Sequence, residues 1–255
     1  MITHMLKIIY YSSIVTQNLL LLILIGTRYR NLMISNLLFS ESLGQDNVDT
    51  WNKILNHKFI TEISKDILPL SKFIFYLKQD QIFLKAFRKL LDVASRIASD
   101  KQTRELFEGL VVSTLNHEMP MQNEIIHQLE VDNIESTGVS MQKTTHEYIS
   151  HITKVSDSRD LDLVLSAIIP CPWTYYEISE LLINHDIRIE AFKQWIRFYS
   201  SKESRKQVMQ LTQQLNKLAG NADEKKKIIM RKYFSLSCNY EREFWDMAYS
   251  YKSGR

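Results

Sequence analysis

Tyr76-Leu77-Lys78-Gln79-Asp80-Gln81-Ile82-Phe83-Leu84 reads as part of a helix whose apolar side is broken by an acid. At helical spacing Tyr76, Phe83, Leu84 and Phe87 share a side with Asp80. The stretch lies inside a longer helical pattern over about 70–99, with Pro69 just ahead of it as a starting signal. The same apolar period recurs over about 43–57, 102–131, 143–155, 159–183, 186–199, 202–219 and 223–251, and few runs have the alternation of a strand. With only 6 glycines and 4 prolines, the chain is expected to be all-α, with long helices joined by short loops as in a helical bundle. Pro120 should kink or divide the third of these helices. Asp132 to Ser140, polar and containing Gly138, reads as a loop, and Gly220-Asn221 as a helix end.

The 255 residues are enough for one large domain with a substantial core. A net charge of +3 lacks the concentrated basic face that nucleic acid demands, and Lys225-Lys226-Lys227, after Asp223 and Glu224, reads as a solvated helical face. Cys171 and Cys238 are the only cysteines. They form no disulfide framework and no zinc-type spacing, so a reducing, cytoplasmic setting is expected. Residues 1–32 differ from the rest. The apolar run Leu19 to Ile25, followed by Arg28 and Arg30, is short for a membrane span and has no clear small-residue cleavage site. It reads as a tail or a mis-assigned start ahead of Met33, with a membrane anchor and a targeting peptide as alternatives. The expected organisation is an extension over 1–32 and one helical domain over 33–255.

Three polar groups stand out on apolar faces. Cys171 lies in Pro170-Cys171-Pro172-Trp173-Thr174-Tyr175-Tyr176. Pro172 suits the first position of a helix, which would make Cys171 the entering residue, beside free N–H groups that lower a thiol's pKa. Asp80 is either a desolvated acid satisfied by donors or the lining of a polar cavity. Glu241 shares a face with Phe244, Trp245 and Ala248, where aromatic surroundings should raise its pKa toward neutrality. Tyr148, Tyr175 and Tyr199 offer flat faces and hydroxyls in helical context, although core packing is their commoner use. Glu124 and His127 have the Glu-x-x-His spacing of a di-iron site but lack the second pair it requires, so no metal is expected. His146 and His151 read as surface or core histidines, and Cys238 as packing. Neither a phosphate-binding Gly-rich loop nor a Gly-x-Ser-x-Gly elbow is present.

Taken together, these segments resemble the TenA family, also called thiaminase II or aminopyrimidine aminohydrolase. The resemblance runs from about Met33 to the C-terminus. It is carried by Trp51-Asn52-Lys53-Ile54-Leu55-Asn56-His57-Lys58-Phe59-Ile60, Tyr76 to Asp80, Pro170-Cys171, Trp195 with Tyr199, and Tyr240 to Tyr249. It implies a haem-oxygenase-like helical bundle, a homotetramer, no cofactor, and an aminopyrimidine or thiamin as small-molecule partner. It also implies roles: Cys171 as nucleophile, Glu241 as acid–base, Asp80 as the acid on the aminopyrimidine edge, and Tyr148, Tyr175 and Tyr199 as pocket tyrosines. Phe83 stands where many members carry tyrosine; the lost hydroxyl contact is worth about 1 kcal/mol, roughly fivefold in affinity or rate. The expected reaction is hydrolysis of the exocyclic C–N bond of 4-amino-5-aminomethyl-2-methylpyrimidine in thiamin salvage. The competing reading is a non-catalytic binder of the same ligands on the same scaffold.

Overall fold

The computed structural model describes residues 37–131 and 139–252. The expectations for residues 1–32 and for the loop around Gly138 lie outside them. Contacts divide the chain into a unit ending at Ser42 and a unit from Leu43 to Arg255. Within the described part of the first, Ser42 donates through its hydroxyl to the Phe39 carbonyl, closing a helical turn.

The described residues are helical, with no strand among them. The helices are α1 Phe39–Asp46, α2 Val48–Leu55, α3 Lys58–Ile63, α4 Leu70–Ile97, α5 Lys101–Ser113, α6 Met119–Val131, α7 Lys143–Asp157, α8 Leu161–Ile168, α9 Pro170–Leu182, α10 Glu190–Tyr199, α11 Lys202–Asn221 and α12 Glu224–Ser250. The expected helix over 43–57 is interrupted at Asn47, whose backbone leaves the helical region. A further short helix follows, capped by the His57 ring, which accepts from the Phe59 N–H. Helix α11 ends at Asn221, in agreement with the reading of Gly220-Asn221 as a helix end. Asp100, Asp160, Ser201 and Asp223 each accept a backbone N–H at the start of a helix, the interaction that stabilises an N-terminus by about 1 kcal/mol.

Two long helices organise the second unit. Helix α4 packs against α5, α6, α7, α8 and α12, and α12 packs against α2, α3, α7, α8 and α9. Their meeting surface is aromatic. Tyr76 lies 5.0 Å from Trp245 in a stack, and Phe59, Phe73, Tyr175 and Trp195 surround the pair at ring distances of 5.1 to 6.2 Å from the nearer of the two. Burial of such rings is the largest apolar contribution available per residue, and it fixes the relative position of α4, α9, α10 and α12.

Two irregularities shape the site. Between α5 and α6, Thr114–Glu118 forms a π-helical turn, in which Met119 N–H reaches back five residues to the Thr114 carbonyl. Pro120 has no N–H to give the carbonyl four residues earlier, and the widened turn absorbs this without dividing the rod. Between α8 and α9, Ile169 keeps helical angles, its N–H bonding to Leu165 and its carbonyl to Trp173. Pro170, rather than Pro172, occupies the first position of α9.

Candidate active site

Helix α9 carries Cys171 in its first turn, but not at an open helix terminus. The end of α8 abuts it through Ile169, so the negative end of one helix dipole meets the positive end of the other. The expectation of a thiol acidified by a free N-terminus is therefore corrected. Burial, followed by the carboxylates of Glu241, Asp80 and Glu118, pushes the Cys171 thiol well above its ordinary range. At neutral pH it rests as S–H, hydrogen-bonded to Glu241.

Glu241 comes from α12 and is 2% exposed. The Tyr148 hydroxyl, on α7, donates to its Oε1 at 2.6 Å. Burial raises the Glu241 carboxyl to about 7, while the bonds from Tyr148 and Cys171 pull it part of the way back. The sequence expectation of a near-neutral acid here agrees with this direction. Tyr148 is itself backed by Phe83, with ring centres 4.5 Å apart, and by Tyr240 at 5.1 Å.

Asp80, on α4, is 3% exposed. Gln122 Nε2 donates to its Oδ2 at 2.6 Å and also reaches the Tyr199 hydroxyl at 3.2 Å. The Gln122 carbonyl oxygen accepts from Gln81 Nε2 at 3.0 Å, which fixes the amide's orientation. Tyr76, held by the Trp195 indole N–H at 3.1 Å, also hydrogen-bonds Asp80. Burial and then the Glu118 carboxylate push Asp80 well above the usual carboxylate range, which favours its protonated form.

A cavity with about 670 Å³ of empty space, including solvent at its mouth, brings these groups together. Asp80, Cys171, Tyr175 and Tyr199 border it. Glu241 and Tyr148 do not; Glu241 is joined to the cavity wall by its hydrogen bond with Cys171, and Tyr148 is joined to Glu241. Phe83 also lies off the cavity wall, packed on Tyr148.

Glu118 is the residue that sequence reading missed. It borders the cavity, accepts from the Tyr199 hydroxyl at 2.8 Å, is hydrogen-bonded to Thr114, and is raised to about 7 by burial. The signal was a spacing: Leu110, Thr114, Glu118 and Gln122 recur every four residues. On a regular α-helix each such step drifts about 40° around the axis, and the π turn removes that drift. Outside the site, Glu124 and His127 are exposed, with Glu124 bonded to Gln194 and Gln128. His146 is exposed, whereas His151 is buried against Ser237 and lowered to about 4 by desolvation. No group of metal-ligating side chains sufficient for an ion occurs among the described residues, and no helix among them is long and apolar enough to cross a membrane.

The family model described as the TENA/THI-4/PQQC family matches residues 45–251. An aminopyrimidine aminohydrolase from Halalkalibacterium halodurans is 31% identical over 214 residues, 83% of this chain and 96% of the relative. Among solved structures, a TenA homologue from P. horikoshii OT3 superposes with a TM-score of 0.73 at 25% identity, covering 84% of this chain and 99% of that one. A domain from Shewanella denitrificans OS217 with a haem-oxygenase-like fold superposes with a TM-score of 0.62 at 15% identity, covering 82% and 90%. The bundle is thus of the haem-oxygenase-like kind.

Proposed function

The chain belongs to the TENA/THI-4/PQQC family, and from that premise we propose that it is an aminopyrimidine aminohydrolase of thiamin salvage. Its substrate is 4-amino-5-aminomethyl-2-methylpyrimidine, and it also cleaves thiamin at the corresponding methylene. The observation that carries this reading is the hydrogen-bonded Cys171–Glu241 pair, with Cys171 bordering the same cavity as Asp80.

In its protonated form, which burial favours, Asp80 has both an O–H to give a ring nitrogen and a carbonyl oxygen to accept from the 4-amino group. A 4-oxo ring reverses one of these roles and leaves a buried group unpaired, which is the stronger kind of discrimination. Tyr175 and Tyr199 offer ring faces and hydroxyls along the same wall. Glu241 takes the thiol proton as the sulfur adds to a ring carbon, and passes that proton to a ring nitrogen. The ammonia then leaves with the C–N electron pair. Water adds to the methylene and gives its surplus proton to the released ammonia, while Glu241 returns the ring-nitrogen proton to the sulfur, which departs as the regenerated thiol as the ring regains its aromaticity. Tyr148 acts through Glu241, and Phe83 through Tyr148.

The reading includes a reducing, cytoplasmic setting, supported by two free thiols, and a homotetramer, supported by the family resemblance alone. It also includes a catalytic domain over 33–255. Incubation of the protein with the aminomethylpyrimidine should release one ammonia per 5-hydroxymethyl pyrimidine formed. Absence of both ammonia and product, with either the pyrimidine or thiamin supplied, would refute it.

A further inference from the structure

One carboxylate in the cavity has no part in the reaction just described. Glu118 sits on the π turn between α5 and α6, opposite the helix that carries Cys171, and it borders the same space as the sulfur and Asp80. Its place is built rather than incidental. The π turn rotates it inward, Thr114 hydrogen-bonds it from one turn earlier, and the Tyr199 hydroxyl, itself fixed by Gln122, donates to Oε1 at 2.8 Å. Tyr199 offers no positive charge, and no Lys, Arg or His borders the cavity among the described residues. Glu118 is only half-buried, yet desolvating a carboxylate is costly even so, and the usual compensation is a cation. Here the protein supplies none, while the substrate class does: the aminomethyl group is an ammonium at neutral pH, and the thiazolium of thiamin is a fixed cation.

Resting on the reading above, we propose that Glu118 is a specificity-determining residue that binds the positively charged leaving end of the substrate. The pyrimidine ring is then held at Asp80 and its cationic substituent at Glu118, with the sulfur of Cys171 bordering the space between. The product carries a neutral hydroxymethyl group and loses this contact. Glu118 therefore favours substrate over product, and its effect falls on binding. The ammonium leaves as neutral ammonia, so the carboxylate does not assist the bond-breaking step itself.

The test uses two probes that differ only in this substituent, 4-amino-5-aminomethyl-2-methylpyrimidine and its 5-hydroxymethyl counterpart. Calorimetric titration of the full chain carrying Cys171→Ser prevents turnover. The aminomethyl probe should bind about tenfold or more tighter, as a charge-assisted hydrogen bond implies. Adding Glu118→Gln should remove that preference to within about twofold while leaving the hydroxymethyl affinity unchanged. With Cys171 intact, Glu118→Gln should raise KM for the aminomethyl substrate and leave kcat within about threefold. A preference that survives Glu118→Gln overturns the proposal. If the glutamine form binds neither probe, Glu118→Asp decides: a preference kept by the shorter acid supports the charge contact, and its loss with intact hydroxymethyl binding refutes it. Failure of the parent to bind either probe would instead refute the aminopyrimidine reading as a whole.

Discussion

Replacing Glu241 by glutamine should stabilise the fold at pH 8 and change it little at pH 5. In the folded protein this carboxyl is 2% exposed and raised to about 7, chiefly by burial, against an ordinary value of 4.5. Between those two values the folded state holds a proton that the unfolded chain has lost. The group's contribution is therefore complete below about pH 4.5 and is lost as the pH rises through about 7. That interval corresponds to roughly 3 kcal/mol, most of it lost between pH 5 and 8. Glutamine has nearly the same shape, its carbonyl still accepts from the Tyr148 hydroxyl, and it does not ionise. Urea unfolding of the parent and of Glu241→Gln at both pH values gives the difference directly. The variant should gain roughly 2–3 kcal/mol relative to the parent on going from pH 5 to pH 8. Glu118 and Asp80 titrate in both proteins and largely cancel. An equal difference at the two pH values would show that the carboxyl is not held near neutrality, and the proton transfer assigned to it would lose its basis.

Other consequences concern the same groups. Tyr148→Phe removes the 2.6 Å donor to Glu241, so the acid limb of kcat/KM should move up by about one pH unit; an unmoved limb would contradict Glu241 as acceptor of the thiol proton. Asp80→Ala should weaken binding of the 5-hydroxymethyl-4-aminopyrimidine about tenfold or more by calorimetry, with a smaller effect on thermal stability. Equal affinity would remove Asp80 from the ring contact.

Most of the fold was legible in the sequence because the helices are long and their apolar period is strong. Helices α4 and α12 end within a few residues of where the pattern placed them. The misreadings share one cause: local rules were applied where neighbouring structure decides. The Cys171 environment was read from two prolines, but Ile169 joins α8 to α9, so the expected free N-terminus does not exist. Asp80 and Glu241 were recognisable because an acid on an aromatic helical face must find donors wherever it is buried. Glu118 was not, since its side of the helix depends on a π turn that a 3.6-residue period does not anticipate. Phe83 was on the correct face, yet whether a side chain on that face meets the cavity or another ring depends on α7, distant in sequence.

The most direct test of the account is ammonia release by Cys171→Ser at concentrations of the aminomethylpyrimidine that saturate the parent. The account predicts that turnover falls to background while the thermal transition and the affinity for the hydroxymethyl pyrimidine stay close to the parent's. Turnover at the parent's rate would mean that the Cys171 sulfur is not the nucleophile.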